Sequence, residues 1–209
     1  MANTIEIKIG AVTLEGILSM PENPKGIVIF AHGSGSSRLS PRNTYVANVM
    51  QEAGLGTLLF DLLTRDEDRL YENRFDIDLL AQRLAGVTRW LMERPEGKIA
   101  PLGYFGASTG AAAALQAAAE PGISVKAVVS RGGRPDLAMP YLGQVTAPTL
   151  LIVGELDREV IHLNRQALEV LTAKKELALV PGATHLFEEP GTLEKAAALA
   201  RDWFLGHLR

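Results

Sequence analysis

The stretch Ile99–Glu120, IAPLGYFGASTGAAAALQAAAE, constrains this chain more than any other. It opens as a short apolar run, turns through Gly106-Ala107-Ser108-Thr109-Gly110, and continues as an alanine-rich helix predicted over Ala111–Ala119. A glycine two residues to either side of Ser108 supplies positions without a Cβ. A serine raised on a tight turn between strand and helix requires such positions. The spacing matches a nucleophile elbow, in which the turn exposes the serine Oγ at the end of the strand. The first amides of the helix, with its positive dipole end, then face charge developing near Ser108. A plain strand–turn–helix with an incidental serine carries the same pentapeptide, so the rest of the chain has to decide between the two.

Read in order, the chain alternates strands with helices. Thr4–Ile9 and Val12–Leu18 alternate apolar and polar residues about Gly10-Ala11, which predicts an antiparallel hairpin at a sheet edge. Gly26–Ala31 is a continuous β-branched run, the mark of a strand buried on both faces, and it ends in His32-Gly33-Ser34-Gly35-Ser36-Ser37. A glycine-rich loop there turns backbone N–H groups into the crevice at the sheet's C-terminal edge. A helix over Asn43–Glu52, a strand over Thr57–Asp61, a charged loop over Leu62–Arg74 and a helix over Ile77–Met92 follow. Beyond the alanine helix come strand Val125–Ser130, the turn Arg131–Pro135, strand Thr149–Val153, helix Ile161–Thr172, strand Leu177–Val180 and helix Leu193–Leu208. Alternation of this kind predicts an α/β sandwich around a mostly parallel sheet.

Composition narrows the chemistry. Of 209 residues 47% are hydrophobic, enough for one sizeable core, and the formal net charge of −3 speaks against nucleic acid or an anionic membrane surface as a partner. The seven arginines from Arg38 to Arg89 are interleaved with acids and read as solvated faces. The absence of cysteine excludes disulfides, thiolate metal sites and a thiol nucleophile, in keeping with a reducing compartment. No signal-peptide layout and no membrane-length apolar run is present, so a cytoplasmic protein with no membrane partner is expected.

A serine nucleophile needs a base to take its proton and a carboxylate to orient that base. Strand Thr149–Val153 runs into Gly154-Glu155-Leu156-Asp157, and the next strand runs into Pro181-Gly182-Ala183-Thr184-His185. Ser108, Asp157 and His185 thus follow the ends of three strands in the chain order of the α/β-hydrolases. Each has an ordinary alternative: Asp157 a helix N-cap, His185 a turn histidine, and Glu155 a rival acid two residues nearer the strand. His162 falls inside a helix and His207 near a helix C-terminus, where a dipole contact is the usual use.

With His32-Gly33-Ser34-Gly35, the Gly106–Gly110 elbow, Gly154–Asp157 and Gly182–His185 in place, the chain resembles a small α/β-hydrolase of the dienelactone-hydrolase-like group over nearly its whole length. The resemblance implies one α/β-hydrolase domain over residues 1–209. Its twisted sheet would have about seven or eight mostly parallel strands, with helices on both faces and no large cap domain. It implies catalytic Ser108, Asp157 and His185, and an oxyanion hole built from the backbone N–H groups of Ser34 and Thr109. It implies a small ester substrate and neither cofactor nor metal. Dienelactone hydrolases proper use cysteine; serine here points to ordinary ester chemistry. The same acyl transfer serves thioesters, lactones and amides. The fold also serves as a non-catalytic ligand-binding scaffold, which would have no need of an intact triad.

Candidate pocket residues are His32, Gly33, Arg131, Arg134 and Met139. Arg131 and Arg134 suit a substrate carboxylate or phosphate, or instead pair with Asp136 or Asp61. Met139, with Tyr141 and Leu142, lines an acyl pocket or simply covers the sheet. Only the 18 residues from 131 to 148 separate two strands here, too few for a lid, so short acyl groups are expected. A homodimer that walls the site from a partner's surface would overturn that expectation.

Overall fold

The computed structural model describes residues 2–208. Strands buried at every position need layers on both sides, and β3 (Ile27–Ala31) and β4 (Gly56–Phe60) are buried throughout, Thr57 included. So are β5 (Leu102–Ala107) and β7 (Thr149–Gly154), while β6 (Val125–Arg131) is exposed only at Lys126. The hairpin β1 (Ala2–Ile9) and β2 (Val12–Ser19) pairs in antiparallel register from Ala2↔Ser19 to Ile9↔Val12. An edge strand, β8 (Lys175–Val180), is exposed or half-buried at every position but Val180. The eight strands run in the order β1-β2-β4-β3-β5-β6-β7-β8. The β1–β2 and β2–β4 pairs are antiparallel and all the others parallel.

Side chains of the central strands alternate between two cores, as a period of two requires. Ile27, Ile29, Tyr104 and Val128 pack with helices α2 (Ile77–Glu93), which the single turn α3 (Pro95–Lys98) follows, and α4 (Thr109–Ala118) on one face. Val28, Phe30, Phe105 and Val129 pack with α1 (Pro41–Glu52) and α6 (Thr192–His207) on the other. All ten residues of α4 are buried, which explains its alanines: only small side chains let a helix lie this close to the sheet. The helix after β7, α5 (Arg158–Val170), begins three residues earlier than its apolar pattern predicts, because the chain turns helical directly after Asp157.

The loop expected over Leu62–Arg74 contains two short 3-10 turns, Glu67–Arg69 and Tyr71–Phe75. Between β6 and β7 lies one kinked 3-10 stretch, Pro135–Gln144, with Pro140 inside it and non-helical backbone at Ala138. No cap is built from it. Parallel register aligns the strand ends, Ala31↔Gly106, Ala107↔Arg131 and Gly154↔Val180, so the loops that follow meet at one edge of the sheet.

Candidate active site

Ser108 sits between β5 and α4 with φ 52° and ψ −123°, a conformation costly for a residue with a Cβ. Close packing holds it there. A Cβ at Gly110 would lie 2.3 Å from the Ala31 carbonyl oxygen, and one at Gly106 would lie 2.4 Å from Ala111 Cα. The Ser108 N–H donates to the Arg131 carbonyl at 3.3 Å, and its carbonyl accepts from the Ala111 and Arg134 amides at 3.1 and 3.2 Å.

The two carboxylates after β7 have separate partners. Asp157 stands at the N-cap position of α5 yet makes no side-chain cap bond. Its Oδ2 instead accepts from His185 Nδ1 at 2.7 Å. Glu155 turns away, its Oε2 accepting from the Gly182 N–H at 3.0 Å, and thereby pins the loop that carries His185. With Nδ1 committed to Asp157, the other ring nitrogen of His185 is left for the pocket, which His185 lines together with Ser108. That pocket, about 250 Å³, is also lined by Gly33, Ser34 and Arg131.

Ser34 and Thr109 meet, but not through two free amides. The Ser34 N–H donates to Thr109 Oγ1 at 2.9 Å, while the Thr109 N–H begins α4 directly beyond Ser108. Gly33 closes on Ser108: a Cβ there would lie 3.1 Å from Ser108 Cβ.

Three candidate pocket residues lie elsewhere. His32 does not line the Ser108 pocket. Its buried ring bridges two loops, Nδ1 donating to the Gly33 carbonyl at 3.0 Å and Nε2 accepting from the Leu62 N–H at 3.0 Å. Burial holds its pKa below the ordinary histidine value, against smaller upward effects from its Gly33 bond and from Asp61 and Asp68. Arg134 is taken by Asp136 through a two-pronged pair at 2.9 and 2.8 Å, which also raises its pKa. Met139 follows the kink at Ala138 and packs against the α2–α4 core, away from Ser108.

Arg131 behaves differently from its neighbour. It is 8% exposed, and neither Nε nor Nη1 has a hydrogen-bond partner among the described residues. Its guanidinium carbon lies 5.9 Å from the Phe105 ring centre and 5.8 Å from that of Phe187. Asp61, the other acid expected as its partner, is engaged by Arg38. Burial, with the like charge of Arg42 added, pushes the Arg131 pKa down to about 10.

Sequence reasoning misses two further site residues. Arg42, in the first turn of α1, lines the pocket, though its sequence context reads as a solvated face. Phe187 takes φ 56° two residues beyond His185 and backs Arg131 and Gly132. A left-handed phenylalanine leaves no sequence signal, because its conformation is imposed by packing.

A parallel sheet with a strained serine elbow after its central strand, and a paired aspartate and histidine after two later strands, defines the α/β-hydrolase class. The family model described as "Dienelactone hydrolase family" matches residues 14–205. The chain belongs to that family.

A crystal structure of a dienelactone hydrolase from Anabaena variabilis is 55% identical with a TM-score of 0.97, covering 100% of this chain and 99% of that one. Est1E from Butyrivibrio proteoclasticus shares the fold at 16% identity and a TM-score of 0.83, covering 97% of this chain and 98% of its own. A Mycobacterium tuberculosis protein provisionally named a phosphoribosyl transferase is 61% identical over 204 residues, 98% of this chain and 46% of that protein. The chain therefore spans about half the length of the curated relatives it matches. Among the described residues no helix is long and apolar enough to cross a membrane.

Proposed function

We propose that the chain cleaves a small carboxylic ester in two acyl-transfer steps, with Ser108 as nucleophile, His185 as base and Asp157 as the acid that orients it. The observation that carries this reading is the 2.7 Å contact between Asp157 Oδ2 and His185 Nδ1 beside the strained Ser108 turn. Ser108 Oγ attacks the carbonyl carbon as its proton passes to His185 Nε2; the tetrahedral intermediate then collapses, and the imidazolium protonates the departing alcohol. Water, activated by the same histidine, releases the acid and restores the serine.

The developing oxyanion is met by the Thr109 N–H and by the Ser34 N–H, which exchanges Thr109 Oγ1 for the substrate oxygen. Donors of this kind are worth about 2.7–4 kcal/mol each in measured cases. Thioesters and lactones would pass through the same steps. The transferase name of the mycobacterial relatives belongs to proteins of which this chain spans 46%.

A pocket of about 250 Å³ with no cap favours short acyl groups, roughly acetyl to butyryl, because a longer chain would gain little burial. Ser108→Ala is expected to abolish hydrolysis of p-nitrophenyl acetate and labelling by a fluorophosphonate, with the circular dichroism unchanged. Full turnover by that variant would overturn the assignment, and kcat/KM rising steadily to dodecanoyl esters would overturn the size preference.

A further inference from the structure

Every arginine from Arg38 to Arg89 has a carboxylate partner: Arg38 with Glu15 and Asp61, Arg42 with Glu188, Arg65 with Glu15, Arg69 with Asp66, Arg74 with Asp68, Arg83 with Glu67 and Arg89 with Glu120. Arg131 has none among the described residues, although it is far more buried than most of these and lies on the wall of the Ser108 pocket. A guanidinium taken out of water without an acid loses hydration that two distant ring faces recover only in part. Its Nε and Nη1 remain without acceptors. Among the described residues no aspartate or glutamate lines this pocket; Arg42, Ser36, Ser40 and Asn43 do.

We propose that this wall binds a phosphate monoester group carried by the substrate, held by Arg131 and Arg42 while its ester carbonyl meets Ser108. The choice of phosphate follows from the donor set. A carboxylate presents two oxygens, whereas two guanidiniums and the Ser36 and Ser40 hydroxyls offer donors in more directions than two oxygens can fill. Arg42 is half-exposed, and its 3.1 Å contact with exposed Glu188 is a surface pair worth little, so it can turn to a ligand. Arg131 is fixed. Its backbone carbonyl accepts from the Ser108 amide, so the anion site and the nucleophile share one rigid frame. The group is bound and not cleaved: the bond that breaks is the carboxylic ester, and the phosphate leaves intact on whichever product carries it.

The inference rests on the reading of Ser108 as nucleophile, and its test separates the two. Three stable aryl acetates serve as probes: 3-acetoxyphenyl phosphate, 3-acetoxybenzoate and 3-methylphenyl acetate. The phosphate ester should show the highest kcat/KM of the three. In Arg131→Met its advantage over 3-methylphenyl acetate should fall by about tenfold or more, the size expected for losing charge-assisted hydrogen bonds. Arg131→Lys, which keeps the charge but not the fork, should fall between, and Arg42→Met should lose less. An unchanged ratio in Arg131→Met, or a carboxylate ester preferred to the phosphate ester, overturns the proposal.

Inorganic phosphate supplies an arm that needs no turnover. It should raise the melting temperature of the wild-type chain and leave that of Arg131→Met unmoved, while an equal shift in both also overturns the proposal. If no ester is hydrolysed, the nucleophile reading fails alone and the phosphate-binding result still decides the anion site.

Discussion

With Ser108 read as the nucleophile and His185 and Asp157 as its base and orienting acid, the two sides of the site are built differently. The nucleophile side, Gly106 to Gly110 with the Ala31–Ser34 loop beside it, is held by backbone packed against backbone at the middle of the sheet. The acid–base side, Gly154 to Asp157 with Gly182 to Phe187, adds two side-chain hydrogen bonds between its loops to backbone contacts of its own, the Leu156 N–H on the Ala183 carbonyl at 3.0 Å and Gly154 packed against Ala183 and Thr184. The first side tolerates no change of shape. The second depends in addition on the chemistry of one side chain, because Asp157 serves the His185 ring while Glu155 serves only the Gly182 amide.

The sharpest break between them is expected from Asp157→Asn. It keeps the volume but removes the acceptor that fixes the His185 tautomer, so kcat for a short ester should drop on the order of 10³–10⁴ while the melting temperature moves little. A mild loss, with Glu155→Gln the crippling change instead, would undo the division of labour. Gly110→Ala tests the other side. Its Cβ would land 2.3 Å from the Ala31 carbonyl oxygen and 2.4 Å from that of His32, contacts that only a backbone shift relieves. Urea unfolding should show a loss of about 3 kcal/mol or more. Native stability in that variant would mean the elbow is looser than its contacts imply.

A third measurement concerns pH. Burial lowers the folded-state pKa of His32, so above the unfolded value of about 6.5 both states are neutral and the group's contribution is fully present. As pH falls below that value, the unfolded chain takes up a proton that the folded chain refuses, and stability declines until the lower folded pKa is reached. Urea midpoints at pH 7.5 and 5.0 should therefore differ less in His32→Gln than in the wild type. Equal differences would remove His32 from this role. The smallest effect belongs to Glu155→Gln. It weakens one exposed bond to the Gly182 amide and should cost about 1 kcal/mol or less of stability, with kcat lowered only slightly.

What the sequence makes legible follows the same division. The fully apolar strands and the glycine spacing about Ser108 predict the elbow, because steric demands on the backbone are written directly in residue types. The strand-end positions of Asp157 and His185 are legible from chain order. Which of Asp157 and Glu155 faces His185 rests on side-chain direction, which the strand end suggests and the two hydrogen bonds show. Sequence misplaces His32, because a strand-end histidine gives no sign of which loop its ring will bridge. The fates of Arg131 and Arg134 stay open in the sequence for a similar reason. Arg134 has an acid two residues on, while Asp61, the other candidate acid, is paired with Arg38, 23 positions away in the chain.

The elbow's contacts have a consequence for how such a catalyst can change over time. Gly106 and Gly110 hold the turn through Ala111, Ala31 and His32, and none of these contacts involves the Ser108 Oγ atom. The identity of the attacking atom is thus uncoupled from its placement. A single-codon exchange between oxygen and sulfur at position 108 would inherit the same backbone, the same neighbouring amides and the same histidine. One scaffold can then alternate between a hard and a soft nucleophile without passing through a misfolded ancestor.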